Sequence, residues 1–525
     1  MKHSVTYRSA AMTLADIIAR NARLSPDGLG VKDETRSLTH SALARRVSML
    51  AGALRACAGK GARVAILAFN CVEFLEIQAA CEWAGTIGVG INVRLAEAEI
   101  GAVLADCQAE ALFFEAEFSQ VVERLRTSFG DLRLICIGDS PAWAERYEAL
   151  MSSAEALEEP DVFASDIVHL VYTSGTTGQP KGAILTHGAL FEAARMTAHE
   201  GGVLRNDVAL LVMPMFHIGA KIEQLAFSLS GAAVIFHRKF DPEAVLRALS
   251  RERVTALHMA PVLIQRLLDT PGFEAADKSS LRSIHYSASP MPVPLLRRAL
   301  AAFGPVFTQI YGMTECPVCT VLKPHQHVTD GTDVQTGRLA SAGQEFLGTE
   351  VRIATLDGTD CAQGEIGEVL VRSPGQTQGY WGAAGINEQS FVGDWLRTGD
   401  MGYFDRERFL FLVDRAKDVI VTGGENVFSR EVEDALRSHP DVGEVAVIGV
   451  PDSEWGETVM AIVIPAPGSA PDADALTSHC CDRIAGYKRP RQFKFVDELP
   501  RLASGKIDKK NLRAPFWAGQ SRFIN

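Results

Sequence analysis

The sequence predicts an α/β fold in two domains, and three observations predict it. Short apolar runs rich in β-branched residues alternate with helical periodicity along most of the chain, the pattern of sheets covered by helices. The length, 525 residues, exceeds what one hydrophobic core ordinarily organises. A self-contained pattern of strand, glycine turn, helix and two further strands begins after Asp414–Asp418 (DRAKD), which marks off a second, smaller domain of about 110 residues.

The elements follow in order. Arg63 to Ala68 reads as a strand and Cys71 to Trp83 as the helix after it. Val208–Met213, Val234–Phe236, Val254–Met259 and Val306–Ile310 read as further strands. Pro242–Ser250 and Val293–Ala302 read as helices between them. In such folds ligands bind in loops beyond the carboxyl ends of the strands. Past the boundary, Val419–Val421, Glu444–Val450 and Thr458–Ile464 read as strands, Gly423-Gly424 as a turn, and Arg430–Arg437 as a helix. Pro465–Asp474 reads as a loop. The expected division is therefore 1–413, a hinge at 414–418, and 419–525.

Composition narrows the function classes. The chain is 47% hydrophobic and 22% charged, as in a soluble globular protein, and no apolar run approaches the eighteen or so residues of a membrane span. The N-terminus shows no signal peptide. Ten scattered cysteines suit reduced thiols in a cytoplasm. A net charge of −12 argues against nucleic acid as a partner. The charge is uneven, however: from Arg483 to the end there are 11 Lys/Arg against three Asp/Glu, a net of +8, leaving −20 for the first 482 residues. This basic end reads either as a solvated face or as a local anion site.

The most informative stretch is Tyr172–Gly182, YTSGTTGQPKG, behind the apolar run Ile167–Val171. Its glycines let backbone N–H groups approach an anion, the hydroxyls of Thr173, Ser174, Thr176 and Thr177 add donors, and Lys181 adds a charge. Together with Gly175 and Gly178 they form a polyphosphate cradle. It is not the common P-loop, which needs Gly-Lys before Ser or Thr. A second motif, Tyr311-Gly312-Met313-Thr314-Glu315, follows a strand and combines an aromatic surface, a glycine, a hydroxyl and a carboxylate. Thr398-Gly399-Asp400 offers a carboxylate that can accept two hydroxyl bonds from a ribose. Gly423-Gly424-Glu425-Asn426 is a small-residue turn, and Pro500–Lys510 (PRLASGKIDKK) carries a glycine-flanked lysine, Lys506.

In this order the motifs resemble the adenylate-forming superfamily, and within it the AMP-forming acyl-CoA synthetases. Met213–His217, Ser287–Met291, Gly337–Gly343 and Lys488–Arg491 extend the resemblance over nearly the whole chain. It implies a large N-terminal domain of helix-covered sheets plus a small β subdomain, and a small mobile α+β C-terminal domain. It implies a two-step ligase. A carboxylic acid attacks the α-phosphate of ATP to give an acyl-adenylate and pyrophosphate, and coenzyme A then displaces AMP. Residues 173–178 and Lys181 would hold the β- and γ-phosphates. Tyr311 would pack on adenine with Gly312, and Thr314 would meet the α-phosphate. Glu315 would hold Mg²⁺, and Asp400 the ribose with Arg415 in support. Lys506 would bridge the carboxylate and the α-phosphate. Gly423 and Gly424 would line the pantetheine channel, and the basic run Lys488, Arg489, Arg491 and Lys494 is a candidate clamp for CoA phosphates. Lys417 would be the hinge. A homodimer and a lysine acetyltransferase acting on Lys506 complete the expected partners, the latter from the Pro-x4-Gly-Lys pattern at 500–506.

One departure stands out: Ser287, Ala288 and Ser289 replace a segment that usually carries glycines, which makes a fuller adenine wall. For the acid, His217 matches the family residue walling the acyl pocket, with Met313 and Gly312 beyond it. No early aspartate is placed to hold an α-amine, so an amino acid is not expected; a fatty or an aromatic acid remains. Lys221 lies four residues past His217. It reads either as reaching the pocket rim to favour a polar far end, or as a lysine paired with a carboxylate or in solvent. Cys316, Cys319, His325 and His327 are spaced too tightly for ordinary zinc modules. No Gly-x-Ser-x-Gly supports a serine hydrolase. Loading of a carrier protein and a luciferase-like oxygenase are the alternatives to the CoA ligase.

Overall fold

The computed structural model describes residues 12–518 apart from 175–179, 356–357, 424, 453, 482 and 503–505. The chain divides into two compact units: Met1–Val351 with Val371–Leu396, and Arg352–Leu370 with Arg397–Asn525. The expected hinge, 414–418, falls inside the second unit.

The first unit holds two large sheets. In the nine-stranded sheet a parallel run places Phe307–Met313, Ser283–Tyr286, Ala256–Met259, Val208–Leu211, Ala233–Phe236 and Leu29–Lys32 side by side. Antiparallel strands close both edges. In the seven-stranded sheet, Arg133–Ile137, Ala111–Glu115, Arg63–Leu67, Ile87–Gly90 and Ile167–Ser174 run parallel in that order. Pro180–Thr186 lies antiparallel on the last of them. Parallel strands buried on both faces read as continuous apolar runs, which is why their periodicity shows so plainly in the sequence.

The helix Val72–Ala84 belongs to this second sheet and is buried on nearly all sides. The Cys71 side chain caps its start, and Gly85, in the left-handed conformation at φ 71°, ends it. A helix buried all round is normally apolar throughout. This one carries three polar residues with almost no exposure, Glu76, Gln78 and Glu82, each of which therefore needs a partner.

In the second unit, strand Trp395–Phe404 pairs antiparallel with Leu410–Arg415. A further sheet, ordered Glu425–Val427, Ile420–Thr422, Gly456–Pro465, Val442–Asp452, packs on helix Ser429–Arg437. Among the described residues no helix is long and apolar enough to cross a membrane.

Candidate active site

The phosphate motif is more strand than loop. Tyr172, Thr173 and Ser174 finish one strand and Pro180, Lys181 and Gly182 begin the next, with Thr173 opposite Lys181 and Ser174 opposite Pro180. Gly175, Thr176, Thr177 and Gly178 lie outside the described residues. Gly182 is crowded, because a Cβ there would sit 3.0 Å from the ring of Tyr172. The Tyr172 hydroxyl donates to Asp106 at 2.5 Å. A third segment, Gly379–Trp381, lies along this hairpin: Trp381 N–H donates to Gly182 at 2.8 Å. It brings Tyr380 beneath Lys181, whose Nζ stands 5.6 Å from the ring centroid. The Tyr380 hydroxyl donates at 2.5 Å to Oε1 of Glu315. One tyrosine thus joins the lysine of the first motif to the carboxylate of the second.

That second motif is a hairpin. The strand continues past Ile310 to Met313, Cys316–Leu322 returns antiparallel, and Thr314 and Glu315 are the turn. Tyr311 is half-buried, Glu315 is buried and Gly312 is exposed. A Cβ at Gly312 would fall 2.0 Å from the Pro317 carbonyl oxygen, so the close backbone approach demands glycine. Residues 287–289 leave the neighbouring parallel strand at the same carboxyl end. Ser287 Oγ is 2.8 Å from Nε2 of His258, and Ser289 is exposed. Ala288 has φ 73°, a left-handed conformation that glycine adopts freely and alanine does not. Cys316 and Cys319 are buried on the returning strand. His327 is engaged by the Tyr286 hydroxyl at 3.0 Å and the Lys323 carbonyl at 2.8 Å.

The residues expected at the acyl end come from three segments. His217 stands at the N-cap position of helix Ile218–Ser230 and packs its ring on Phe216. Lys221, in the first turns of that helix, is 3% exposed and ion-paired with Glu82, Nζ to Oε1 2.6 Å. It also reaches Gln224 Oε1 at 3.1 Å. His169 Nε2 meets the same Glu82 oxygen at 3.1 Å, and its Nδ1 faces the Gly88 carbonyl at 3.3 Å. Burial pushes the Glu82 carboxyl up, but Lys221 and His169 outweigh it and hold it at about 2. Burial, with Lys221 adding to it, lowers the His169 imidazole. His217, Lys221, His169 and Gln78 line one small cavity, floored by Gly88 and Gly90. Both glycines are closely approached there. A Cβ on Gly88 would lie 2.7 Å from His169 Nδ1, and one on Gly90 3.1 Å from Phe216 Cα.

In the second unit Asp400 is buried on its strand and pairs with Arg415 across the ladder, Nε to Oδ1 2.6 Å. Lys417 sits in the short turn Ala416–Asp418, and burial lowers its ammonium pKa. Arg513 fastens that turn by donating to the Lys417 carbonyl at 3.1 Å and to Asp418 at 2.8 Å. Lys506 is exposed by surface area. Its ammonium is nonetheless lowered, first by desolvation among surrounding atoms and then by Arg415 and Lys417, with Asp400 opposing. Its exposure makes that desolvation partial. Gly423 has φ 58°, and Trp455 covers it so closely that a Cβ would meet the indole at 2.6 Å; Gly424 lies outside the described residues. Lys488 is paired with Glu431 at 2.7 Å, and Arg489 donates to the carbonyls of Ile484 and Cys481. Arg491 lies on the Trp455 ring at 4.3 Å, and Lys494 is exposed.

The family model of the AMP-binding enzymes matches residues 18–381, and that of the AMP-binding enzyme C-terminal domain matches 431–506. The chain belongs to the AMP-binding enzymes. It is similar to an indoleacetate–CoA ligase of Aromatoleum aromaticum, 37% identical over 96% of this chain and 98% of the relative. It is 38% identical to a feruloyl-CoA synthase of Amycolatopsis sp over 95% and 98%. Among solved structures, the o-succinylbenzoate CoA synthetase of Bacillus subtilis in complex with its acyl-adenylate superimposes with a TM-score of 0.83 at 31% identity, covering 94% of this chain and 97% of that one. The AMP-binding enzyme described here is an AMP-forming acid–thiol ligase, of a family that uses ATP and coenzyme A.

Sequence reasoning overlooked several groups in this AMP-binding enzyme. Tyr380 could have been suspected from its place in Gly-Tyr-Trp, two aromatics after a glycine in a polar stretch. Gln78, Glu82 and His169 carried no comparable signal; each sits singly within an apolar run.

Proposed function

We propose that this ligase activates an aromatic carboxylic acid. The observation that carries the reading is the cavity beside His217. It is small, and Lys221 and His169, both held by the buried Glu82, line it. A long alkyl chain would have to lie against charge there, whereas a ring carrying a polar substituent can meet those groups. The two aryl-acid relatives support the same class.

At the nucleotide end, Thr173 and Lys181 hold the departing phosphates, with Tyr380 bracing the lysine. Tyr311 and the 287–289 segment flank adenine, and Thr314 meets the α-phosphate. Glu315 fits a Mg²⁺ ion, because one of its oxygens is committed to Tyr380 and the other remains for a cation whose further ligands are phosphate oxygens and water. That ion would neutralise charge on the phosphates. Asp400 takes the ribose hydroxyls with Arg415 holding its carboxylate in place. Lys506 stabilises charge building between the acid and the α-phosphate.

The thioester step requires Lys506 to withdraw and the pantetheine arm to enter, by rotation at Lys417 about the 414–418 segment. That rotation has to release the Arg513 contacts described above. Lys417→Pro is then expected to spare adenylation and stop thioester formation. Acetylating the exposed Lys506 removes its charge and is expected to silence adenylation reversibly. Consumption of ATP and coenzyme A supports a cytoplasmic site of action.

A pyrophosphate-release screen over alkanoic and aryl acids, with and without coenzyme A, tests the reading. Release with aryl acids, followed by CoA-dependent AMP formation, is expected. A preference for long alkanoic acids would overturn the aromatic assignment.

A further inference from the structure

We infer that the far end of the acyl pocket recognises a neutral group that both donates and accepts a hydrogen bond, a phenolic hydroxyl on the substrate ring, through Gln78 and Lys221. The inference rests on the reading of His217 as the pocket wall.

Three observations carry it. The first is an unsatisfied acceptor. Gln78 is 4% exposed, lines the cavity, and its Oε1 has no hydrogen-bond partner among the described residues. Glu76, two residues earlier, receives the Arg46 guanidinium and the Tyr147 hydroxyl, and Glu82, one turn later, receives Lys221. Of the three buried polar residues on this helix, Gln78 alone keeps an acceptor unused. A buried acceptor left without a partner destabilises the folded chain, and a bound donor would relieve that.

The second is a spare donor beside it. An ammonium has three N–H groups. Lys221 gives one to Glu82 and one to Gln224, which leaves a third. Gln78 and Glu82 lie four residues apart on one helix face, and Gln78 and the Lys221 ammonium that Glu82 holds line the same cavity. A hydroxyl between them donates to Gln78 Oε1 and accepts from Lys221 Nζ.

The third is charge balance. Lys221 is positive, Glu82 negative, and burial keeps His169 neutral. The site is already balanced. A second carboxylate on the substrate would enter as an unpaired buried charge beside Glu82, which is strongly unfavourable. A plain hydrocarbon end would leave both polar groups facing it, and sites built to hydrogen-bond a hydroxyl reject analogues lacking it far more strongly than apolar pockets reject a missing methylene.

The test is a series of aryl acids with hydrogen, hydroxyl or carboxylate at the far ring position, assayed by pyrophosphate release. With the native enzyme, kcat/KM for the hydroxyl compound is expected to exceed that for the hydrogen compound by about tenfold or more, with the carboxylate poorest. This part needs no variant. Gln78→Met removes the acceptor at nearly constant volume and is expected to bring the hydroxyl-to-hydrogen ratio close to one, mainly through KM. The paired change Glu82→Gln with Lys221→Met, which removes both charges together, should do the same. A native ratio near one, a preference for the carboxylate, or a ratio unmoved by Gln78→Met overturns the inference while the aryl-acid ligase stands. Release with no acid in the series overturns both.

Discussion

The two ends of the site are built in opposite ways. At the proposed nucleotide end, the groups come as contiguous strings, 172–182 and 311–315, each carried by a pair of antiparallel strands. At the proposed acyl end, Gln78, Glu82, His169 and Lys221 come singly from a buried helix, a buried strand and a second helix, and only folding brings them together. The first arrangement serves every acid alike, because ATP is the same for all of them. The second can be altered residue by residue without touching the chemistry. Substitutions at the two ends should therefore differ in kind: nucleotide-end changes lower activity with all acids in proportion, and acyl-end changes reorder the acids or unfold the protein.

The largest effect is expected from Lys221→Met. It leaves Glu82 buried with only a neutral imidazole beside it, and breaking one partner of a buried pair typically costs about 3–5 kcal/mol. Thermal unfolding should show this, and adding Glu82→Gln should recover most of the loss. If the single variant is as stable as the native protein, the pair does not hold the acyl end together.

Lys506→Ala tests the opposite end of the comparison. Loss of a charge that acts on the transition state is expected to slow adenylation by about 10³-fold, equally for every acid. Thioester formation from supplied acyl-adenylate should be largely retained. A fall in both half-reactions, or a changed order of acids, would remove Lys506 from its assigned role. Its lowered ammonium pKa adds a pH signature. The active form is the cation, so adenylation should fail on the alkaline side below the ordinary lysine value of 10.5, and Lys506→Arg should abolish that limb.

Acid separates the two ends through stability. Burial holds the imidazole of His327, which anchors the strand leading to residues 287–289 through Tyr286, at about 4. Burial likewise holds His187 at about 4. Below the unfolded value of 6.5 the unfolded chain binds protons that the folded one refuses, so stability falls as pH drops from 6.5 to about 4. Each histidine accounts for about 3 kcal/mol at most. Glu82 has the opposite history. Its folded pKa is about 2 against 4.5 unfolded, so its contribution is complete above 4.5 and is lost only between 4.5 and 2. Stability should thus decline in two stages, and His327→Asn should flatten the first. A flat profile from 7 to 4 would contradict the burial of these rings.

The same contrast explains what could be read without a structure. The strands Arg63–Leu67 and Val208–Leu211 and the helix Pro242–Arg251 fall within a few residues of their expected bounds, because buried parallel strands and amphipathic helices write their period into neighbouring residues. Gly312 is legible for a related reason, since close backbone approach forces residue type locally. Strand ends were less legible: Tyr172–Ser174 and Pro180–Gly182 look like loop by composition but complete a ladder, since pairing partners decide strand length. Lys221 pointed toward the pocket through its spacing from His217, yet nothing around Gln78, Glu82 or His169 announced a partner on another element. A lone polar residue in an apolar run carries its meaning in the fold.

The smallest effect sharpens the comparison most. Ala288 stands at the nucleotide end with φ 73°, where an L-residue is strained by roughly 1–2 kcal/mol. Glycine would remove that strain but add unfolded-chain freedom worth about 0.4–1 kcal/mol. Ala288→Gly should therefore stabilise the protein by up to about 1 kcal/mol. It also thins the proposed adenine wall, so KM for ATP should shift while the ranking of acids stays as it was. Destabilisation would mean that the alanine methyl makes packing contacts worth more than the strain. A changed ranking would mean that this segment faces the acid rather than the nucleotide, and the division between a shared end and a selective end would have to be redrawn around residue 288.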